Sequence, residues 1–141
     1  MSKYRDWWRR VAVDMIRQYP ELRKRKDEMQ KVRITASFKP ARRGSGAGRA
    51  TEAAAMRQLE PAEERIIDAV ELAREEILRH RDGREVMAIV TMVDLKRTHS
   101  MTGAAMTAHM SRKTAQSRRG RFIYAFAKYY GFSKDYPSEP K

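Results

Sequence analysis

The stretch from Ser111 to Arg121, SRKTAQSRRGR, places cationic and amide side chains at helical spacing. Arginine and lysine can bond to guanine, and glutamine can bond to adenine, through the base edges that line the major groove of DNA. A helix that reads DNA commonly presents such residues near its N-terminus. Arg112, Lys113 and Gln116 stand at those positions, so this stretch is suited to recognising a duplex by hydrogen bonds.

The neighbouring residues have supporting roles in the same prediction. Ser111 is predicted to cap the helix by accepting a backbone N–H bond, and Gly120 would let a phosphate backbone come close. Arg118 and Arg121 lie at the flanks, where guanidinium groups suit phosphates. The positive end of the helix dipole adds to the attraction. The predicted DNA-binding residues are Ser111, Arg112, Lys113, Thr114, Gln116, Ser117, Arg118 and Arg121.

Charge is distributed unevenly along the chain. The 141 residues include 31 Lys and Arg against 18 Asp and Glu, a net charge of +13. Nine basic residues and no acid lie from Leu95 to Lys134, whereas residues 50–94 hold eleven acids and six arginines. A strongly basic field concentrates polyanions near a protein surface, and nucleic acid is the usual polyanion. Nucleic acid is therefore the expected partner, and the helix predicted after Ser111 favours duplex DNA.

The residue types that catalysis or metal binding needs do not occur in suitable patterns. Without cysteine, the chain can form neither a disulfide nor a thiolate metal site. His80, His99 and His109 do not share the H-E-x-x-H spacing of zinc enzymes, and Gly44–Gly48 lacks the Lys and Ser or Thr of a phosphate-binding loop. We therefore expect no catalytic residues, no metal, no cofactor and no enzymatic activity.

Nothing in the hydropathy pattern predicts insertion into a membrane. No apolar run approaches the ~20 residues that a membrane-spanning helix needs. The N-terminus, MSKYRDWWRR, lacks the apolar stretch of a signal peptide. We therefore expect a cytoplasmic protein without a membrane partner.

Helical periodicity organises most of the chain and predicts an all-α fold. Pro20 is predicted to end one helix and to begin the next, which gives an N-terminal helical hairpin. Alternating glycines and acid-free basic residues then predict a flexible linker. The predicted divisions are the helical hairpin at 1–34, the flexible basic linker at 35–49, a helical DNA-binding domain at 50–131 with a helix-turn-helix at 100–130, and a C-terminal tail at 132–141.

Local signals mark helix ends within the predicted DNA-binding domain. Asp82 and Glu85 fit a capping box, in which each side chain bonds a backbone N–H of the first turn. Ser100 or Thr102 can cap the first helix of the helix-turn-helix, and Gly131 is suited to closing the last helix. A small-residue face, which would let the next helix cross closely, is formed by Ala104, Ala105 and Ala108.

The run from Ala104 to Arg118, A-A-x-x-A-x-M-S-R-K-T-A-Q-S-R, resembles the helix-turn-helix of bacterial sigma factors in their fourth region. The wider layout, over roughly residues 4–131, is similar to the phage-encoded RinA and ArpU regulators of late gene transcription. The shared features are a Y-P junction at Tyr19–Pro20, a glycine-containing segment and a T-E helix start at Thr51–Glu52. The resemblance implies a DNA-binding transcriptional regulator of phage or prophage origin, with bacterial RNA polymerase as a candidate partner.

The chain departs from the sigma-factor pattern in two ways. His109 stands in the turn, where glycine is common because a left-handed backbone is needed. Arg118 and Arg119 replace an apolar residue of the second helix. One of their aliphatic stems should therefore cover the core while its charged head reaches outward.

Two other roles on nucleic acid stay open. A small terminase-like packaging subunit also carries a helix-turn-helix but assembles into rings, whereas a promoter-binding protein would be a monomer or a homodimer. An RNA-binding antitermination factor would instead use the basic segments on RNA. The mass of the protein in solution distinguishes the first role, and competition between duplex DNA and RNA distinguishes the second.

Overall fold

The computed structural model describes residues 7–38 and 59–132, without the side chains of residues 33–38. No strand occurs in these ranges, so the prediction of an all-α fold is confirmed for them. None of their helices is long and apolar enough to cross a membrane. The helices of the described ranges are α1 (Trp7–Phe38), α2 (Pro61–Leu78), α3 (Gly83–Val90), which continues into a π-helical turn (Thr91–Leu95), α4 (Met101–Thr107) and α5 (Arg112–Tyr130).

The hairpin predicted for residues 1–34 is wrong, because the single helix α1 runs through this segment with Pro20 inside it. At 1.5 Å per residue, α1 is roughly 48 Å long. A proline in a helix interior removes one backbone hydrogen bond and costs about 3 kcal/mol. Packing on both sides of the proline offsets this cost, since Ile16 and Leu22 are buried in the same core.

Polar contacts also anchor the second half of α1 to α2. The hydroxyl of Tyr19 and the guanidinium of Arg23 both donate to Oε2 of Glu71, at 3.1 and 3.0 Å. Arg25 donates to Glu63 at 3.3 Å. Burial and the neighbouring Glu71 carboxylate raise the pKa of Tyr19. These contacts hold α1 against α2 beyond the proline, so the helix continues as one element.

Two predicted boundaries also differ from the structure. Residues 35–38, predicted as the start of the linker, belong to α1. Phe132, predicted as the first residue of the tail, is buried and stacks on Tyr130 with 5.2 Å between ring centroids. The rest of the predicted linker, the helix start at Thr51 and the rest of the tail lie outside the described residues.

The main core lies where α1, α2, α3 and α5 meet. At Gly83, where α3 begins, a Cβ atom would collide with the carbonyl oxygen of Ile77, so glycine is required there. The side chains of α5 that face this core are fully buried, which ties the candidate DNA-reading helix to the other three. The largest fully buried residues of this core are Ile16, Ile67, Val70, Val86, Val90, Phe122, Ile123 and Phe126.

The capping box predicted for Asp82 and Glu85 does not form. Asp82 stands at the N-cap of α3, but its side chain makes no cap hydrogen bond. Both carboxylates accept hydrogen bonds from α5 instead, Asp82 from Arg121 and Glu85 from Arg118. The guanidinium groups of α5 occupy the carboxylates that the capping box would need, so tertiary packing overrides the local capping signal.

Candidate nucleic-acid interface

A tight turn joins α4 to α5. The backbone N–H of Met110 donates to the carbonyl of Ala105 at 3.0 Å, and that of His109 donates to the carbonyl of Met106 at 3.1 Å. This pair of bonds is a Schellman motif, which ends a helix with a left-handed residue. His109 is that residue, with φ at 58°. The predicted left-handed conformation of His109 is therefore confirmed.

Replacing His109 with glycine should stabilise the fold. A left-handed backbone costs an L-residue about 1–2 kcal/mol, and the greater freedom of glycine in the unfolded chain offsets part of the gain. We expect the free energy of unfolding, measured by urea denaturation, to rise by roughly 0.5–1 kcal/mol. His109→Val is the control and should lower it, because a β-branched residue fits this backbone worst. Equal effects of the two changes would show that the turn relaxes.

Serine residues begin both helices of the motif. Oγ of Ser100 accepts from the backbone N–H of Gly103, and Oγ of Ser111 accepts from that of Thr114, both at 3.1 Å. The hydroxyl of Ser111 also donates to Oγ1 of Thr114 at 2.9 Å. Both helices therefore have the predicted serine caps. Two predicted DNA-binding residues, Ser111 and Thr114, have their hydroxyl groups engaged in the second cap.

A small apolar cluster sets the crossing of α4 over α5. Its short side chains let the two helices approach closely, as the predicted small-residue face requires. Ala108 of that face is only partly buried. The fully or almost fully buried members of the cluster are Ile89, Val93, Ala104, Ala105 and Ala115.

Four predicted DNA-binding residues lie exposed at the start of α5. Within the described part of the chain, their side chains form no hydrogen bond or ion pair with protein. Residues three and four positions apart share one face of a helix. These four side chains therefore lie together on the outer face, where base edges could meet them. The exposed set is Arg112, Lys113, Gln116 and Ser117.

Arg118 and Arg121, predicted to contact phosphates, are paired with carboxylates at the start of α3. Nη1 of Arg121 donates to Oδ2 of Asp82 at 2.6 Å. Arg118 donates to Glu85 and lies 4.0 Å from Asp82. The hydrogen bond from Arg121 holds the pKa of Asp82 below its usual value. A phosphate would have to compete with these carboxylates, so in this structure the two arginines stabilise the packing of α5 on α3.

Arg119 lies in a buried ion cluster. Its Nε and Nη2 atoms donate to the two carboxylate oxygens of Asp94, at 2.7 and 2.8 Å. Arg17 of α1 donates to the same carboxylate at 3.4 Å. Asp94 is only 1% exposed. The head of Arg119 is therefore held inward at Asp94, whereas the head of Arg118 reaches the exposed carboxylate of Glu85, so only Arg118 follows the prediction of an outward head.

Asp94 is a residue that the sequence reasoning missed, although a signal was present. It follows Val86 and Val90 at steps of four residues, so it lies on the buried stripe of the same helical segment. A carboxylate in an apolar stripe must find a cation or strong hydrogen bonds, because burying an unpaired charge is very costly. The partner itself could not be identified from the sequence, since α5 alone carries four arginines and two lysines.

The acidic and basic residues that are separated along the sequence pair with each other in the folded protein. The basic residues in the second part of α5 pair with acids from the acidic segment at residues 50–94, so packing brings the two kinds of charge together. Among the basic residues of α5, only Arg112 and Lys113 have no such partner in the described contacts. The pairs are Arg118 with Glu85, Arg119 with Asp94, Arg121 with Asp82, and Lys128 with Glu76.

The sequence had suggested that Gly120 leaves space for a phosphate backbone. In the structure, an arginine of α1 occupies that space. A Cβ atom on Gly120 would lie 3.4 Å from Nη2 of Arg9. Gly120 follows Gln116 by one helical turn on the same face. The guanidinium of Arg9 therefore lies next to the exposed set. No local pattern signals this contact, because the two residues are far apart in the chain.

In residues 7–38 and 59–132, no three His, Asp or Glu side chains converge as they would around a metal ion.

The resemblance of the α4–α5 segment to sigma factors stays a prediction. A comparison of this chain with protein-family models, curated proteins and solved structures finds no match.

Proposed function

We propose that the protein binds duplex DNA sequence-specifically with the first turn and a half of α5 and thereby regulates transcription. The division of α5 into two parts carries this proposal. Arg112, Lys113 and Gln116 are exposed and have no partner among the described residues, whereas carboxylates hold the basic residues farther along. The unpartnered groups thus lie at the helix N-terminus, the end that groove-reading helices present to base edges.

The electrostatics of this helix start favour an anionic partner. The first turn of α5 contains no acid, although acids are the residues that the helix dipole favours there. Arg112 and Lys113 occupy that turn instead, each at a cost of about 0.3–1 kcal/mol to an isolated helix. A bound polyanion removes this repulsion and gains from both the side chains and the positive end of the dipole. This is the arrangement expected of a surface that receives DNA.

The regulatory part of the proposal draws on the sequence motif. The resemblance of residues 104–118 to the fourth region of sigma factors, and of the wider layout to RinA and ArpU regulators, favours transcription as the regulated process. It also favours a phage or prophage origin and RNA polymerase as a candidate partner. The mass of the protein in solution tests the assembly, because a ring of many subunits contradicts a promoter-binding monomer or homodimer.

Selection of bound duplexes from a random DNA pool, followed by alanine substitutions, tests the reading of bases. Lys113→Ala and Gln116→Ala should each relax the preference at particular base pairs by roughly 1–3 kcal/mol. Affinities are measured on the selected and on a scrambled duplex, after circular dichroism has shown that the variants are folded.

Arg79→Ala is the matched control for these substitutions. Arg79 is exposed and lies near Tyr129, which is roughly 25 Å from Arg112 along the axis of α5. The Arg79→Ala substitution should leave the discrimination between the selected and the scrambled duplex unchanged. Equal losses on both duplexes for Lys113→Ala and Gln116→Ala would mean that α5 anchors DNA without reading it. No loss for either variant, or preferential binding of RNA, would overturn the proposal.

A further inference from the structure

We propose that Arg9 and Arg10, at the start of α1, are a second part of the DNA interface and bind backbone phosphates beside the groove that α5 enters. This inference rests on the proposed function and adds residues of another helix to it. Arg9 and Arg10 form the arginine pair. The strongest observation is the position of Arg9, whose guanidinium lies over Gly120 on the outer face of α5.

The spacing along α5 fits the dimensions of a DNA groove. Gly120 lies four residues beyond Gln116 and seven beyond Lys113, which is about 6 and 10 Å along the helix axis. The major groove is about 12 Å wide, with the phosphates of each strand along its edges. If α5 points its N-terminus at the base edges, the Arg9 guanidinium beside Gly120 stands about 6 Å farther from those edges than Gln116, toward the phosphates at the groove edge.

The arginine pair is available for such a contact. Both side chains are exposed, and neither has a hydrogen bond or ion pair with another described residue. They line a groove of about 330 Å³ together with Val13, Asp14 and Arg119. Since the buried Asp94 carboxylate holds Arg119, the remaining charges are two guanidinium groups against the single carboxylate of Asp14. The groove therefore keeps a positive charge that no described contact neutralises.

Packing of α1 on α5 does not require the arginine pair. The buried side of α1 at this point is formed by Trp8, Ala12 and Ile16. The carboxylate of Asp94 also binds Arg17 of α1 and Arg119 of α5, and so joins the two helices. These contacts fix the backbone that carries the arginine pair relative to the exposed set, while the two side chains stay free to reach a phosphate.

The dependence of affinity on salt tests the inference in the full-length protein. A phosphate contact adds about 0.9 to the log–log slope of affinity against salt, so Arg9→Ala should make the slope shallower by about one. Affinity at 0.15 M salt should fall about fivefold, equally on the selected and the scrambled duplex. Arg9→Ala combined with Arg10→Ala should remove about two units of slope. Arg9→Lys should restore most of the slope, because it keeps the charge.

Arg79→Ala is again the control and should leave the slope unchanged. Ethylation of individual phosphates supplies a positional readout that a purely structural role would not alter. Ethylation of a phosphate at the groove edge should weaken the wild-type protein and should no longer weaken Arg9→Ala. Thermal unfolding followed by circular dichroism confirms that each variant is folded.

The outcomes separate this inference from the proposed function. If the wild-type protein selects a duplex sequence but Arg9→Ala behaves like Arg79→Ala, the arginine pair is not part of the interface and the proposed function stands. If Arg9→Ala weakens only the selected duplex, Arg9 reads a base and the phosphate assignment is wrong. If the wild-type protein selects no duplex, or binds RNA in preference, both proposals fail.

Discussion

Asp94→Asn is expected to lower the free energy of unfolding by roughly 3–5 kcal/mol, as breaking a buried ion pair does. The side chain of Asp94 is 1% exposed and that of Arg119 is 17% exposed. Asparagine keeps the size of the side chain but removes its charge, so Arg119 and Arg17 lose their common counter-ion. Because Arg119 keeps some access to water, the lower end of this range is expected. Urea denaturation followed by circular dichroism measures the change.

Asp82→Asn is the matched control, since it removes the same charge from an ion pair with another arginine of α5. The side chains of Asp82 and Arg121 are 33% and 36% exposed, so about 1 kcal/mol or less should be lost. Replacing Asp94 and Arg119 together with leucine should recover much of the loss, because apolar replacements of buried pairs are often neutral. If Asp94→Asn costs no more than Asp82→Asn, the cluster does not stabilise the fold.

Phe126→Ala should lower the free energy of unfolding by about 3–5 kcal/mol, the usual cost of truncating a buried phenylalanine. The side chain is fully buried and stacks on Tyr130, with 5.7 Å between ring centroids. Since a domain of this size typically has about 5–15 kcal/mol of stability in total, much of it would be lost. The thermal midpoint and the urea midpoint should both fall.

Tyr129→Ala is the control for Phe126→Ala, because Tyr129 is an aromatic residue of the same helix that is 38% exposed. It should cost much less than Phe126→Ala, because it removes mainly one exposed hydrogen bond, the one to Glu76. At low temperature, where Phe126→Ala is still folded, its choice of DNA sequence should match that of the wild-type protein. Altered sequence choice in the folded variant would contradict a purely structural role for Phe126.

Local signals in the sequence determined the start, the end and the turn of the proposed DNA-reading segment. Serine at an N-cap, a small-residue face and glycine past a helix end act within a few residues, so the ends of α4 and α5 could be predicted from Ser100, Ser111 and Gly131. The helical periodicity of α5 likewise predicts that Arg112, Lys113 and Gln116 are exposed. These features need no knowledge of the rest of the molecule.

The tertiary structure alone decided which charges remain available. The acid-free sequence around α5 suggested that Arg118 and Arg121 face phosphates, but carboxylates of α3 bind both, because packing places the acidic segment against α5. Pro20 signals a helix end, yet burial and ion pairs on both sides of it keep α1 continuous. The place of Arg9 beside Gly120 depends on the docking of α1, a contact between distant parts of the chain that no local pattern encodes.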